Sequence, residues 1–206
     1  MKMFGPRRFK AATDFWPRRA MEVPLFIETE QTPNPATLKF LPGRSIMASG
    51  TADFTSAEKA ERSPLATRLF QIEGVTGVFL GADFVTVTKA DGRSWQVMKP
   101  AILGVIMEHL TANRPILLEE TAAAAPVGEE DELTAQIREL IDTRVRPAVA
   151  QDGGDIIFQG FEDGVVYLHM QGSCAGCPSS TATLKMGIEN MLKHYVPEVV
   201  EVRQVA

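Results

Sequence analysis

The only two cysteines of this 206-residue chain, Cys174 and Cys177, stand three positions apart in the run Gly172-Ser173-Cys174-Ala175-Gly176-Cys177-Pro178-Ser179-Ser180. Pro178, Ser179 and Ser180 mark a helix start directly behind the second cysteine, because proline suits a first helical position and serine caps free amides. The positive end of that helix dipole favours thiolate over thiol, the form that binds metals and attacks disulfides. Gly172 and Gly176 add permissive backbone that lets amides approach sulfur. On spacing alone, a metal site and a redox pair are equally compatible with the motif. Coordination arithmetic adds a constraint: an iron-sulfur cluster or a structural zinc site takes four protein ligands, and one chain brings two thiolates. A twofold dimer brings four, enough for one [4Fe-4S] cluster between subunits, with a [2Fe-2S] cluster as the other type.

The remaining chemistry-bearing residues read more plainly. His109, His169 and His194 are scattered, as packed or surface histidines are, with His169 held in reserve as a third ligand because it lies close before Cys174. Asp152 and Asp155 flank Gly153-Gly154 and read as turn formers. Met170, Met186 and Met191 read as core filler, and Trp95 and Phe84 as packing residues of the first domain. The chain carries no phosphate-binding glycine loop and no nucleophile-base signature, so it is expected not to be an enzyme.

The loop must be positioned by what surrounds it. Leu133, Ile137, Leu140, Ile141 and Val145 form an apolar helical stripe that should end before Pro147 or kink there. Ile156-Phe158 and Val165-Leu168 lie on either side of Asp163-Gly164, a strong hairpin signal, and the second strand feeds the cysteine loop. Leu184, Ile188, Met191, Leu192 and Tyr195 continue as an amphipathic helix stopped by Pro197, with a last strand over Val199-Val202. Upstream, Glu119-Asp131 is acidic, rich in alanine, and interrupted by Pro126 and Gly128, as an interdomain linker is. Before it, short strands at Leu25-Glu28 and Leu38-Phe40 flank Thr32-Pro33-Asn34-Pro35. A helix starts at Ser63-Pro64, and Val78-Leu80 and Phe84-Val87 make a hairpin. Trp95-Val97 reads as an added strand, and Ile102-Leu110 as an amphipathic helix. The expected fold class is α+β: two small α+β domains joined by a flexible acidic linker. Residues 1–20 form a basic, disordered extension, 21–118 the first domain, 119–130 the linker and 131–206 the second domain.

Composition narrows the function classes. A formal net charge of -5 offers no footprint for phosphate backbones, so a nucleic-acid partner is not expected. The apolar stretch at Pro100-Leu110 is broken by Gly104, Glu108 and His109, far short of the ~20 residues of a membrane span, so no membrane association is expected either. Two cysteines in a chain of this length make no disulfide framework and point to a reducing compartment. Lys2, Arg7, Arg8, Lys10, Arg18 and Arg19 against Asp14 give the start of the chain the charge bias of a transit peptide, which Pro6 and Pro17 interrupt.

Longer runs of residues match a family. Arg146-Pro147-Ala148-Val149, Asp152-Gly153-Gly154-Asp155-Ile156, the cysteine run through Thr181, Leu184-Lys185 and Gly187-Ile188-Glu189 resemble the NifU C-terminal domain. Thr32-Pro33-Asn34-Pro35, Lys39-Phe40, Ser63-Pro64-Leu65-Ala66, Phe84-Val85-Thr86-Val87-Thr88-Lys89 and Lys99-Pro100 are similar to the Nfu N-terminal domain. What the resemblance implies is an iron-sulfur cluster scaffold or carrier with Cys174 and Cys177 as metal and cluster ligands. It also implies a cluster-bridged homodimer, assembly proteins and apo iron-sulfur proteins as partners, and transfer by thiolate exchange. The N-terminal domain would select recipients. The family occurs in bacteria and mitochondria, so the expected location is the bacterial cytoplasm, with the mitochondrial matrix as the alternative. Two rivals remain from the motif itself: a thiol-disulfide oxidoreductase, and a structural zinc module completed by another chain.

Overall fold

The structure is a computed structural model that describes residues 26–118, 131–176 and 178–205. The basic extension, the Glu119–Glu130 linker and Cys177 lie outside the described residues.

The first sheet grows from a proline-bounded turn. Thr32 Oγ1 donates to the carbonyls of Asn34 (2.9 Å) and Thr37 (3.1 Å), and Asn34 Oδ1 accepts the Ala36 amide. This closes β1 (Glu28–Gln31) onto β2 (Thr37–Leu41). With β3 (Ala52–Phe54), β4 (Val75–Leu80) and β5 (Val85–Lys89) they form an antiparallel sheet of order β1-β2-β5-β4-β3. Helices α1 (Pro64–Phe70) and α2 (Trp95–Thr111) supply the apolar partners for one face. Phe40, Phe54, Leu65, Leu69, Val78, Leu80, Val85, Val87, Ile102 and Ile106 fill the core between them. Ser63 caps α1 by accepting the Ala66 amide, as the Ser-Pro pair requires.

Trp95-Val97 is not a strand. Trp95 opens α2, because Met98, Ile102 and Ile106 bury one stripe against the sheet and that period of three and four residues extends back to Trp95. Only the helix places these side chains on one face. Strand β3, which sequence did not reveal, is three residues long and has a single alternation to read.

The second unit begins with α3 (Glu132–Leu140), capped by Asp131. It runs through one π-helical turn, Ile141–Val145, into α4 (Arg146–Gln151). The helix therefore passes Pro147 rather than ending before it. Pro147 lies in the first turn of α4, where its missing N–H removes little, and the wider turn ahead absorbs the change of path. β6 (Gly154–Glu162) and β7 (Val165–Gly172) form a hairpin whose tip, Asp163 (φ 49°) and Gly164 (φ 77°), has the paired positive φ of a two-residue turn. α5 (Pro178–Tyr195) crosses back to β8 (Glu201–Val205), which pairs parallel to β7. This strand starts later than Val199-Val202, because the Val199 and Val200 amides are taken by turn bonds to Val196 and Gly164. Ile137, Ile141, Val149, Ile156, Val166, Leu168, Ile188, Leu192 and Val202 make a second core. The fold is α+β with two separate cores.

Candidate metal-binding loop

Cys174 stands just past the end of β7, where the parallel crossover to α5 leaves an open loop. Local bonds fix its backbone. The Ser173 amide donates to Gly153 O (3.2 Å), Ser173 Oγ donates to Asp152 O, and the Ala175 amide closes a turn onto Gly172 O (3.1 Å). From α5, Thr181 Oγ1 donates to Cys174 O (3.0 Å). The glycines make room for this. A Cβ on Gly154 would lie 2.6 Å from both Cys174 Sγ and Gln171 O, and Gly172 holds φ 62°.

The helix start does not activate Cys174. The residue is 5% exposed, and burial pushes its thiol up to about 11, against the pull of a hydrogen bond with Ser173. The charges of Asp152 and Asp155 push the same way as burial. α5 begins four residues later, so Cys174 lies behind the turn on which the helix dipole acts, and desolvation decides. Cys177, the second expected ligand, lies outside the described residues.

Asp155 is more than a turn former. It is 3% exposed and accepts a bidentate pair of bonds from Arg146, Nε to Oδ1 and Nη2 to Oδ2, both 2.8 Å. It also accepts from Thr51 Oγ1 and from its own neighbour's amide at Ile156, again at 2.8 Å. The carboxylate holds the Arg146 guanidinium firmly charged. The pair ties α4 to the start of β6, and so to the glycines under Cys174. No periodicity signals a partner nine residues away.

The reserve ligand is not brought in. His169 Nδ1 lies 3.3 Å from Val205 O on the neighbouring strand, and no group of three or more His, Cys, Asp or Glu among the described residues is placed to hold a metal. His109 packs at the end of α2 with Nε2 3.1 Å from Pro115 O, and burial lowers its pKa. Met170 is core and Met191 half-buried, but Met186 is 60% exposed on α5 and is not filler.

Sequence also gave no hint that the first unit reaches the loop. Asn34 Nδ2 donates to Ala175 O (3.2 Å), Thr86 Oγ1 to Gly153 O (2.8 Å) and Lys39 Nζ to Gln151 O (2.9 Å). Burial raises the Asp53 pKa, against the pull of the nearby Gly172 amide.

Both units have known relatives. Residues 27–113 match the model described as scaffold protein Nfu/NifU N terminal, and residues 137–203 match the NifU-like domain. The human protein named NFU1 iron-sulfur cluster scaffold homolog, mitochondrial, is 52% identical over 183 residues, covering 88% of this chain and 72% of its own. The chain belongs to the Nfu/NifU iron-sulfur cluster scaffold family. Other members of that Nfu/NifU family are NifU-like protein 4, mitochondrial, of Arabidopsis thaliana, at 52% identity over 87% of this chain and 66% of its own, and the Drosophila ananassae NFU1 homolog, at 51% over 88% and 64%. The chain thus spans less than two thirds of the fly relative's length. No helix among the described residues is long and apolar enough to cross a membrane.

Proposed function

We propose that the protein carries an iron-sulfur cluster between two copies of itself, with Cys174 and Cys177 of each chain as the ligands, and hands it to apo iron-sulfur proteins. The cluster is cargo, a [4Fe-4S] unit, with [2Fe-2S] as the other type four thiolates can hold. Thiolates of a recipient replace Cys174 and Cys177 at iron one at a time, and the cluster leaves when the recipient site binds it more tightly. No general base or oxyanion site takes part, so the protein acts as a scaffold or carrier and not as an enzyme. The relatives' names carry this task, and the mitochondrial location in those names supports the matrix alternative over the bacterial cytoplasm.

The observation that supports the two-chain reading most strongly is the lack of further ligands. His169 is turned to β8, and Cys174 has no third donor around it among the described residues. Anaerobic reconstitution with iron and sulfide tests the proposal. The expected product is a dimer that loses its iron in Cys174→Ser and in Cys177→Ser. A colourless protein that reduces insulin disulfides would favour the oxidoreductase, and zinc that resists exchange would favour the structural module.

A further inference from the structure

Side chains alternate across a strand, so a sheet with helices on one face leaves its other face to water. In the first unit Val78, Leu80, Val85 and Val87 point into the helical core. Phe79 and Thr86, between them, belong to the other face. Strand register aligns one row there: Lys39 opposite Thr86, Thr86 opposite Phe79, Phe79 opposite Asp53. In a free domain this row would be solvated. Here Phe79 and Thr86 are each 1% exposed and Lys39 is 6% exposed, because the second unit lies on them.

What covers the row is the ligand loop and the glycine pair beneath it. Lys39, Thr86 and Asn34 donate to backbone carbonyls at Gln151, Gly153 and Ala175. The Phe79 ring lies against Gly172, where an added Cβ would come within 2.9 Å of it. We infer that the N-terminal sheet is a cap on the ligand loop, and that this docked arrangement is the cluster-free form, which must open before two chains share a cluster. The inference rests on the two-chain reading above. A bridging cluster needs both loops within metal-thiolate reach, about 2.3 Å per bond, of one small inorganic core. The Asn34 bond to Ala175 O holds the residue next to Cys174 against the first unit, so docking covers loop backbone that a second chain would otherwise meet. Docking and cluster sharing therefore compete, and each shifts the other's population. The contacts suit a reversible cap: they are mostly polar, and the loop carbonyls rehydrate on release.

The test uses the full chain. Thr86→Glu sets a carboxylate against Gly153 O while leaving the helical core alone. Val97→Glu, at an exposed position of α2, is the control. Two labels report the cap: acylation of the Lys39 amine, and alkylation of Cys174 in a Cys177→Ser background, both read by mass spectrometry on apo protein. Thr86→Glu should raise both rates about tenfold, as the loss of one or two hydrogen bonds and a new repulsion imply, and Val97→Glu should change neither. Loading wild type with iron and sulfide should bring Lys39 acylation to the Thr86→Glu rate. If Thr86→Glu fails to fold, Thr86→Val removes only the donor and should give a smaller rise in the same direction. Equal labelling of wild type and variant would overturn the cap. Slow Lys39 acylation in a cluster-loaded dimer would overturn the opening step while the carrier reading stands. Wild type that takes up no cluster, or takes it up as a monomer, would overturn the carrier reading and the competition with it, even where the apo labelling contrast holds.

Discussion

The two sheets differ in how their strands are joined, and that difference decides which one carries the cysteine loop. In the N-terminal sheet every neighbouring pair is antiparallel, and the β1–β2 and β4–β5 links are short turns filled by their own hydrogen bonds. The C-terminal sheet has one parallel pair, β7 and β8, which requires α5 as a crossover. A crossover leaves a loop at the carboxyl end of β7, long enough to expose backbone and hold thiols, as crossover connections in α/β sheets generally do. The first unit instead offers the row Lys39, Thr86, Phe79 and Asp53 on the face its helices leave free, suited to covering something. The proposed ligand loop and the proposed cap thus rest on different connections.

Five changes would break or sharpen this contrast. The largest effect should come from emptying one core or the other. Leu168→Ala and Leu69→Ala each remove a fully buried leucine and should cost about 2 to 5 kcal/mol by denaturant unfolding. Only Leu168→Ala should abolish iron uptake, because Leu168 belongs to the core of the unit that carries the cysteine loop. Next, Asp155→Asn should cost about 1.5 to 3 kcal/mol, since a buried carboxylate bonded to Arg146 is lost, and the glycines under Cys174 should show faster hydrogen exchange. Gly154→Ala should cost about 1 to 3 kcal/mol through overpacking against Cys174 Sγ and should lower iron content at equal protein concentration. The gentlest change is pH. With the Cys174 thiol at about 11, its alkylation in the Cys177→Ser protein should rise close to tenfold per pH unit from 7 to 10, whereas an unshifted thiol would level off near pH 9. The sign for stability follows. The unfolded thiol ionises first as pH rises past about 8.5, so the folded state loses stability between that value and about 11.

Much of the secondary structure was legible because it rests on local rules. Ser63-Pro64 and Asp163-Gly164 name their cap and their turn directly, and the stripe Leu184-Ile188-Leu192 names its helix. Trp95 was misread because a run of three residues with an aromatic and a branched side chain looks like a strand until the later positions of its stripe are counted. Pro147 was read as a stop or a kink, and the π turn that carries the helix past it leaves no mark in the sequence. At the site, the loop and Cys174 were visible, but its thiol state was not. Dipole reasoning used the nearby helix start, whereas desolvation depends on what the tertiary fold stacks on the sulfur. The Arg146–Asp155 pair and the Lys39–Thr86–Phe79–Asp53 row are products of packing and register, which no spacing announces.

The most direct measurement is iron and sulfide content together with native mass after anaerobic reconstitution. Cys174 and Cys177 acting as half of a shared ligand set predict about two irons per chain, in a dimer that falls apart when the cluster is removed. A full complement of metal on a strict monomer, with both thiols open to alkylation, would contradict it.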